Sequence, residues 1–208
     1  IITLSEQLEV LLDKGPTRVS PFLVPKMLPD MASGQVSMLL GARGPNYATV
    51  SACSSAADSL GQAFLAVQRG EVDIVFAGGS DAAVCPIGVA GFNACQALSK
   101  RNDEPQQASR PFDAQRDGFV IGEGAAVLVF ESMDSAVNRG VEPIAEIVGY
   151  GSTADAYHIT QPAPEGEGGA RAMGLALKQA QLRPEEIDYI NAHGTSTQLN
   201  DKFETMAM

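Results

Sequence analysis

The chain has 208 residues, 45% hydrophobic and 19% charged, with a formal net charge of −11 from 14 basic and 25 acidic residues. That length predicts one domain or two small ones at ~100–200 residues each, and the composition is globular, neither disordered nor fibrous. The dense basic footprint of a nucleic-acid binder is missing, as is a basic amphipathic helix for a membrane surface, and no apolar run approaches the ~18–20 residues of a membrane span.

Residues 1–6 (IITLSE) lack the basic and apolar regions of a secretion signal. No Met opens the chain, which predicts a start inside a longer gene or after a cleavage. Residues 4–13 place Leu8, Leu11 and Leu12 near helical spacing, and Gly15-Pro16 closes that helix. Residues 22–40, broken by Pro25, Pro29 and Gly34, read as short helices and turns. Residues 47–52 (YATVSA) are small and β-branched, which suits a buried strand. Residues 56–69 carry a helical stripe of Leu60, Ala63, Phe64 and Val67, closed by Gly70. Residues 72–77 (VDIVFA) read as a second buried strand. The unit is then strand–Cys–helix–strand, a parallel βαβ crossover.

Residues 96–118 are polar and contain proline, so they read as a long ordered loop. Residues 119–130 predict a hairpin around Gly122-Glu123-Gly124. Residues 132–139 form a short helix closed by Gly140, and residues 144–150 a further strand. Residues 160–169 are a loop and residues 170–182 a helix. Pro184-Glu185-Glu186 opens one more turn, where acidic side chains suit the helix dipole. Residues 187–192 (IDYINA) make a strand that ends in His193-Gly194-Thr195.

Three cysteines and two histidines bear on the chemistry. The cysteines are too few and scattered for a disulfide framework, which favours a reducing, cytosolic setting. No CxxC pair and no histidine pair at metal spacing is present, so no metal is expected. Cys53 falls between a predicted strand and a helix N-terminus. Helix amides and dipole there favour the thiolate, and the adjacent amide can face an oxyanion. Ala52, Ser54, Ser55 and Ala56 leave room for a substrate. Two readings stay open: a nucleophile, or a buried cysteine acting as a small hydrophobe. His193 ends a predicted strand, where sites form in α/β sheets. A neutral imidazole there has the chemistry to donate to a thioester carbonyl; the alternative is a hydrogen-bonded structural histidine. Asn200, Asp201, Lys202 and Glu204 are its candidate partners.

Ser51-Ala52-Cys53-Ser54-Ser55 resembles the active-site cysteine motif of the β-ketoacyl-acyl carrier protein synthases, and Asn191-Ala192-His193-Gly194-Thr195-Ser196-Thr197 resembles their first active-site histidine motif. Between them, Ala77-Gly78-Gly79, Ala97-Leu98-Ser99, Arg101-Asn102-Asp103, Ser109-Arg110-Pro111-Phe112-Asp113, Arg116-Asp117-Gly118-Phe119-Val120 with Gly122-Glu123-Gly124-Ala125, and Asp155-Ala156-Tyr157-His158 are similar to the elongating ketosynthases of type II fatty acid synthesis. The resemblance spans the chain.

It implies an α/β, thiolase-like fold layered αβαβα. Residues 1–140 would be the later part of the N-terminal half, with the nucleophile Cys53. Residues 141–208 would start the C-terminal half, with the first active-site histidine, His193. It implies a decarboxylating Claisen condensation in which Cys53 takes an acyl group from an acyl carrier protein. Malonyl-carrier thioester then loses carbon dioxide, and its enolate attacks the acyl-Cys53 while His193 polarises the thioester carbonyl. The implied partners are acyl carrier protein, bearing acyl and malonyl thioesters, and a second copy in a homodimer. No cofactor is implied, and the implied location is cytoplasmic.

Phe92 matches the family's acyl-pocket and gating position, and Gly88 lies in the same motif; Thr195 and Thr197 are the implied substrate-binding hydroxyls. Arg18 matches a carrier-docking position, while Thr17 and Gln96 stand where bases are common and Lys26 is a possible substitute. Ala56 replaces the usual Gly after the cysteine motif, and Gln198 the usual Pro after the histidine motif. His158 and Glu123 read as structural residues, Cys85 and Cys95 as buried bystanders. The family is about twice this length and uses a second histidine, a lysine and a Gly-Phe-Gly loop beyond His193. The implication is an internal piece without full condensing activity alone.

Three rivals remain at this stage. A papain-like peptidase fits the spacing from Cys53 to His193, but the CGxCW context is absent. A non-catalytic partner subunit typically loses the cysteine. A polyketide synthase ketosynthase domain often has Asp-Thr-Ala-Cys-Ser-Ser and Ala-His-Gly-Thr-Gly-Thr, where this chain has Val50-Ser51-Ala52-Cys53-Ser54-Ser55 and Ala192-His193-Gly194-Thr195-Ser196-Thr197.

Overall fold

Helices α1 (Ile2–Lys14), α2 (Leu23–Met27), α3 (Met31–Leu40), α4 (Ser55–Gln68), α5 (Pro86–Ala94), α6 (Met133–Asn138), α7 (Glu167–Ala180) and α8 (Gln198–Ala207) dominate the computed structural model, which describes residues 1–208. Strands β1 (Ile74–Asp81) and β2 (Gly124–Glu131) form its sheet, so the fold is mixed α/β. The chain divides into two compact units, Ile1–Gly91 with Gly122–Ser135, and Phe92–Ile121 with Ala136–Met208.

The first unit is built on α4 and the β1–β2 pair. The strands run antiparallel, with Ile74 opposite Glu131 and Asp81 opposite Gly124. Opposed residues share a face in such a ladder. Helix α4 lies on the face that carries Ala77 and Gly79, and its Ala63 is buried. The other face presents Ile74, Phe76, Val127 and Val129, all exposed. The approach of α4 is close: a Cβ added to Gly79 would sit 2.7 Å from the Ala56 Cβ. The helix ends as its apolar stripe predicts, with Gly70 at φ +67 supplying the left-handed residue that follows.

Three expectations for this unit are corrected. Residues 47–51 are no strand: the Thr49 hydroxyl donates to Ser55 O at 2.8 Å and Ser51 N–H to Ser55 Oγ at 2.9 Å. The Ser51 amide, a backbone donor that a ladder would use, is tied instead to the start of α4. The parallel crossover therefore does not form, and β1 pairs antiparallel with β2. Residues 119–130 are no hairpin either. Strand β2 pairs with β1, and the Glu123 carboxylate accepts the Val84 amide at 2.7 Å in place of a tight turn.

In the second unit, α7 and α8 pack with a 3-10 turn at Pro164–Gly166. Phe119 pairs with Leu98 in a parallel bridge, the Ser99 amide donating to Phe119 O and the Phe119 amide to Ala97 O, each at 3.0 Å. Residues 144–150, expected as a strand, run along α7. Cβ atoms on Gly149 and Gly151 would lie 2.2 and 2.0 Å from the carbonyl oxygens of Ala176 and Ala172. The Tyr150 amide donates to the Gln179 side chain at 2.9 Å, where a strand would use a ladder. Residues 187–192 also carry no ladder bonds, although Ile187 has extended angles of φ −96 and ψ 116. Extended character is a property of sequence, but a strand needs a partner, and no segment of this chain pairs with it. Helices α5 and α8 arise in stretches where the sequence predicts no secondary structure.

Candidate active site

Cys53 sits in the first unit at an exposed 3-10 turn, Ala52–Ser54, directly ahead of the 14-residue helix α4. Ala52 has φ +52, a conformation that a residue with a Cβ rarely adopts. Side chains hold it there. The Ser55 hydroxyl donates to Ala52 O at 2.8 Å, and the Ser54 hydroxyl to Ser51 O at 2.7 Å. The Ser51 hydroxyl in turn donates to the Asp58 carboxylate. A strained residue locked by its neighbours lifts the next side chain, Cys53, out of the turn. The result is an accessible thiol at the N-terminal end of a helix, where backbone amides can face a developing oxyanion.

His193 is exposed in the second unit, ahead of a turn built on Gly194 at φ +50 and Ser196 at φ +66. The turn is fixed from α8. The Glu204 carboxylate accepts the amides of His193 at 2.6 Å and Gly194 at 2.8 Å. Asp201, 1% exposed, accepts the amides of Ser196 at 3.1 Å and Phe112 at 2.7 Å, and lies 3.4 Å from Arg116 Nε. The hydroxyls of Thr195 and Thr197 meet at 2.8 Å. The Phe112 ring and Pro111 close on Gly194, where a Cβ would lie 3.3 Å from each. The sequence offers Lys202 and Glu204, with Asn200 and Asp201, as candidate partners of His193. The structure separates their roles: Lys202 lies over the Phe203 ring, and Glu204 serves the backbone of His193. Arg116, quoted earlier only within a motif, is the residue that sequence reasoning missed.

The remaining candidates divide between the units. In the first, Gly88 is buried on α5, and a Cβ there would meet Ala83 O at 2.2 Å, so only glycine fits. Arg18 is exposed at the end of a 3-10 turn, Pro16–Arg18, and Lys26 is exposed on α2. In the second, Phe92 packs edge-to-face on Phe119, with ring centroids 5.2 Å apart. Cys95 and Cys53 are exposed and Cys85 partly so, which corrects the burial expected for Cys85 and Cys95. His158 accepts the amides of Thr160 and Gln161 on Nδ1, each at 3.1 Å, a structural arrangement. No helix is long and apolar enough to cross a membrane.

Residues 2–136 match the family description "Beta-ketoacyl synthase, N-terminal domain", and residues 144–208 match "Beta-ketoacyl synthase, C-terminal domain". The chain is 57% identical over 198 residues to "3-oxoacyl-[acyl-carrier-protein] synthase 2" of Staphylococcus aureus, covering 95% of this chain and 49% of the relative. It thus spans about half the length of the curated relatives it matches. A β-ketoacyl synthase from Burkholderia phymatum superposes with a TM-score of 0.92 at 39% identity, over 100% of this chain and 50% of that one. A chain in a structure of a type II PKS acyl-carrier protein in complex with its ketosynthase bound to the hexaketide gives 0.93 at 36% identity, over 99% and 52%. The fold is therefore that of the ketosynthases, as the sequence implied, and the chain belongs to the β-ketoacyl synthase family.

Proposed function

We propose that the full-length protein elongates fatty acyl chains by decarboxylative condensation, with Cys53 as nucleophile and His193 as the donor to the malonyl thioester. The observation that carries this reading is the exposed Cys53 thiol behind the strained Ala52, at the head of α4. The Cys53 thiolate attacks the acyl-carrier thioester carbonyl. A new C–S bond forms, and the carrier thiol leaves with the proton. In the second step the bond from the malonyl α-carbon to its carboxylate breaks and carbon dioxide departs. The electron pair becomes an enolate, whose oxygen accepts a hydrogen bond from His193. Its carbon attacks the acyl-Cys53 carbonyl, the Cys53 amide faces the resulting oxyanion, and Cys53 leaves as thiolate. The product is a 3-oxoacyl thioester on the carrier.

In this reading residues 1–140 and 141–208 belong to two thiolase-like halves. Phe92 and Gly88 line the acyl site, Thr195 and Thr197 bind the incoming thioester, and Arg18 contacts the acidic carrier. The protein is a cytoplasmic homodimer. Identity of 57% to a 3-oxoacyl-[acyl-carrier-protein] synthase 2, against 36% to a chain in the type II PKS ketosynthase complex, supports the fatty acyl substrate. The test supplies the full-length protein with acyl- and malonyl-carrier protein. Equal amounts of carbon dioxide and 3-oxoacyl carrier are expected, and Cys53→Ala abolishes the condensed product. Undiminished product from that variant contradicts the reading.

A further inference from the structure

The far end of the backbone turn that follows His193, at Thr197 and Gln198, is held by one guanidinium, in addition to the Glu204 and Asp201 contacts. Arg116 keeps its side chain 13% exposed and commits it to backbone carbonyls. Its Nε donates to Thr197 O at 2.9 Å, its Nη2 to Gln198 O at 2.8 Å and its Nη1 to Asp113 O at 2.9 Å. The Gln198 side chain returns a hydrogen bond to Arg116 O. Nε also faces the buried Asp201 carboxylate, which fixes the Ser196 amide. Ser196 has φ +66 and 1% exposure, so its conformation is imposed by these contacts and not chosen by the residue. A planar fork that reaches three carbonyls and a carboxylate together is a capacity of arginine that lysine lacks.

We infer that Arg116 is a positioning residue of the condensing site: it sets the turn over residues 194–197, and with it the His193 imidazole and the Thr195 and Thr197 hydroxyls, without touching substrate. The inference rests on the reading of His193 given above. It separates the half-reactions. Cys53 acylation needs the turn at Ala52–Ser54, whereas malonyl decarboxylation needs His193 in place.

The test uses full-length Arg116→Gln and Arg116→Lys, with two rates followed separately. One is acyl transfer to Cys53, read by the mass of its peptide; the other is carbon dioxide release from malonyl-carrier protein. Misplacement by about 1 Å costs up to ~100-fold in rate, so decarboxylation should fall ~10–100-fold in both variants while acylation stays within about threefold. Arg116→Lys keeps a charge opposite Asp201, so it should recover thermal stability but not decarboxylation. Wild-type decarboxylation in Arg116→Lys overturns the inference, as does an equal fall in both rates, or failure of both variants to fold. His193→Ala runs alongside: if it decarboxylates normally, the reading of His193 is what fails, and the inference falls with it.

Discussion

Glu204 accepts both amides of the His193–Gly194 pair, one on each carboxylate oxygen, at 2.6 and 2.8 Å. The side chain that follows the histidine motif by about two helical turns thus fixes the peptide that carries the imidazole. Hydrogen bonds to a charged group contribute about 1.5–3 kcal/mol each. Glu204→Gln keeps one acceptor and turns an amide donor toward a second donor. It should slow malonyl decarboxylation of the full-length protein about tenfold, and Glu204→Ala more. Carbon dioxide release measures it; an unchanged rate in Glu204→Ala would show that the contact is incidental.

The contact between α4 and β1 yields a packing prediction. A Cβ on Gly79 would lie 2.7 Å from the Ala56 Cβ. Gly79→Ala should therefore destabilise the full-length protein by about 1–3 kcal/mol through overpacking. Adding Ala56→Gly, which removes the clashing methyl, should recover most of that. Urea unfolding of both single variants and the double variant measures the coupling, and strict additivity would contradict the contact.

Asp155 predicts a pH effect. The amides of Ala163 and then Tyr157, at 2.9 and 3.1 Å, and more weakly the Arg171 charge hold its carboxyl below the ordinary 3.8. A depressed folded value means the bonds are intact above 3.8 and are lost as pH falls through that lower value. The Tyr157 and Ala163 amide resonances should titrate together in acid below pH 3.8, and Asp155→Asn should abolish the titration. A common midpoint above 3.8 would contradict this.

Large apolar side chains stand open in both units: Leu39 is 83% exposed and Ile159 94%, and the outer face of the sheet shows Phe76, Val127 and Val129. Surfaces of this kind mark covered interfaces or aggregation sites. Produced alone, the 208-residue chain should bind a hydrophobic dye and yield no 3-oxoacyl product. Robust turnover by it would refute that expectation.

Helices α4 and α7 were legible because their signal is internal to each one. The stripe Leu60, Ala63, Phe64, Val67 with Gly70 behind it is α4, and the apolar spacing after residue 170 is α7. The strands at residues 47–52, 144–150 and 187–192 were not, because strand formation depends on partners that periodicity does not report. Cys53 and His193 were legible as motifs. The supports were not: Arg116 meets Thr197 and Asp201 across more than eighty positions, a spacing no local pattern encodes.

The central claim is that Cys53 carries the acyl chain, and the mass of its tryptic peptide tests it most directly. After incubation of the full-length protein with acyl-carrier thioester, that peptide should gain one acyl group, and Cys53→Ala should gain none. An unmodified Cys53 peptide beside consumed acyl-carrier thioester would contradict the account.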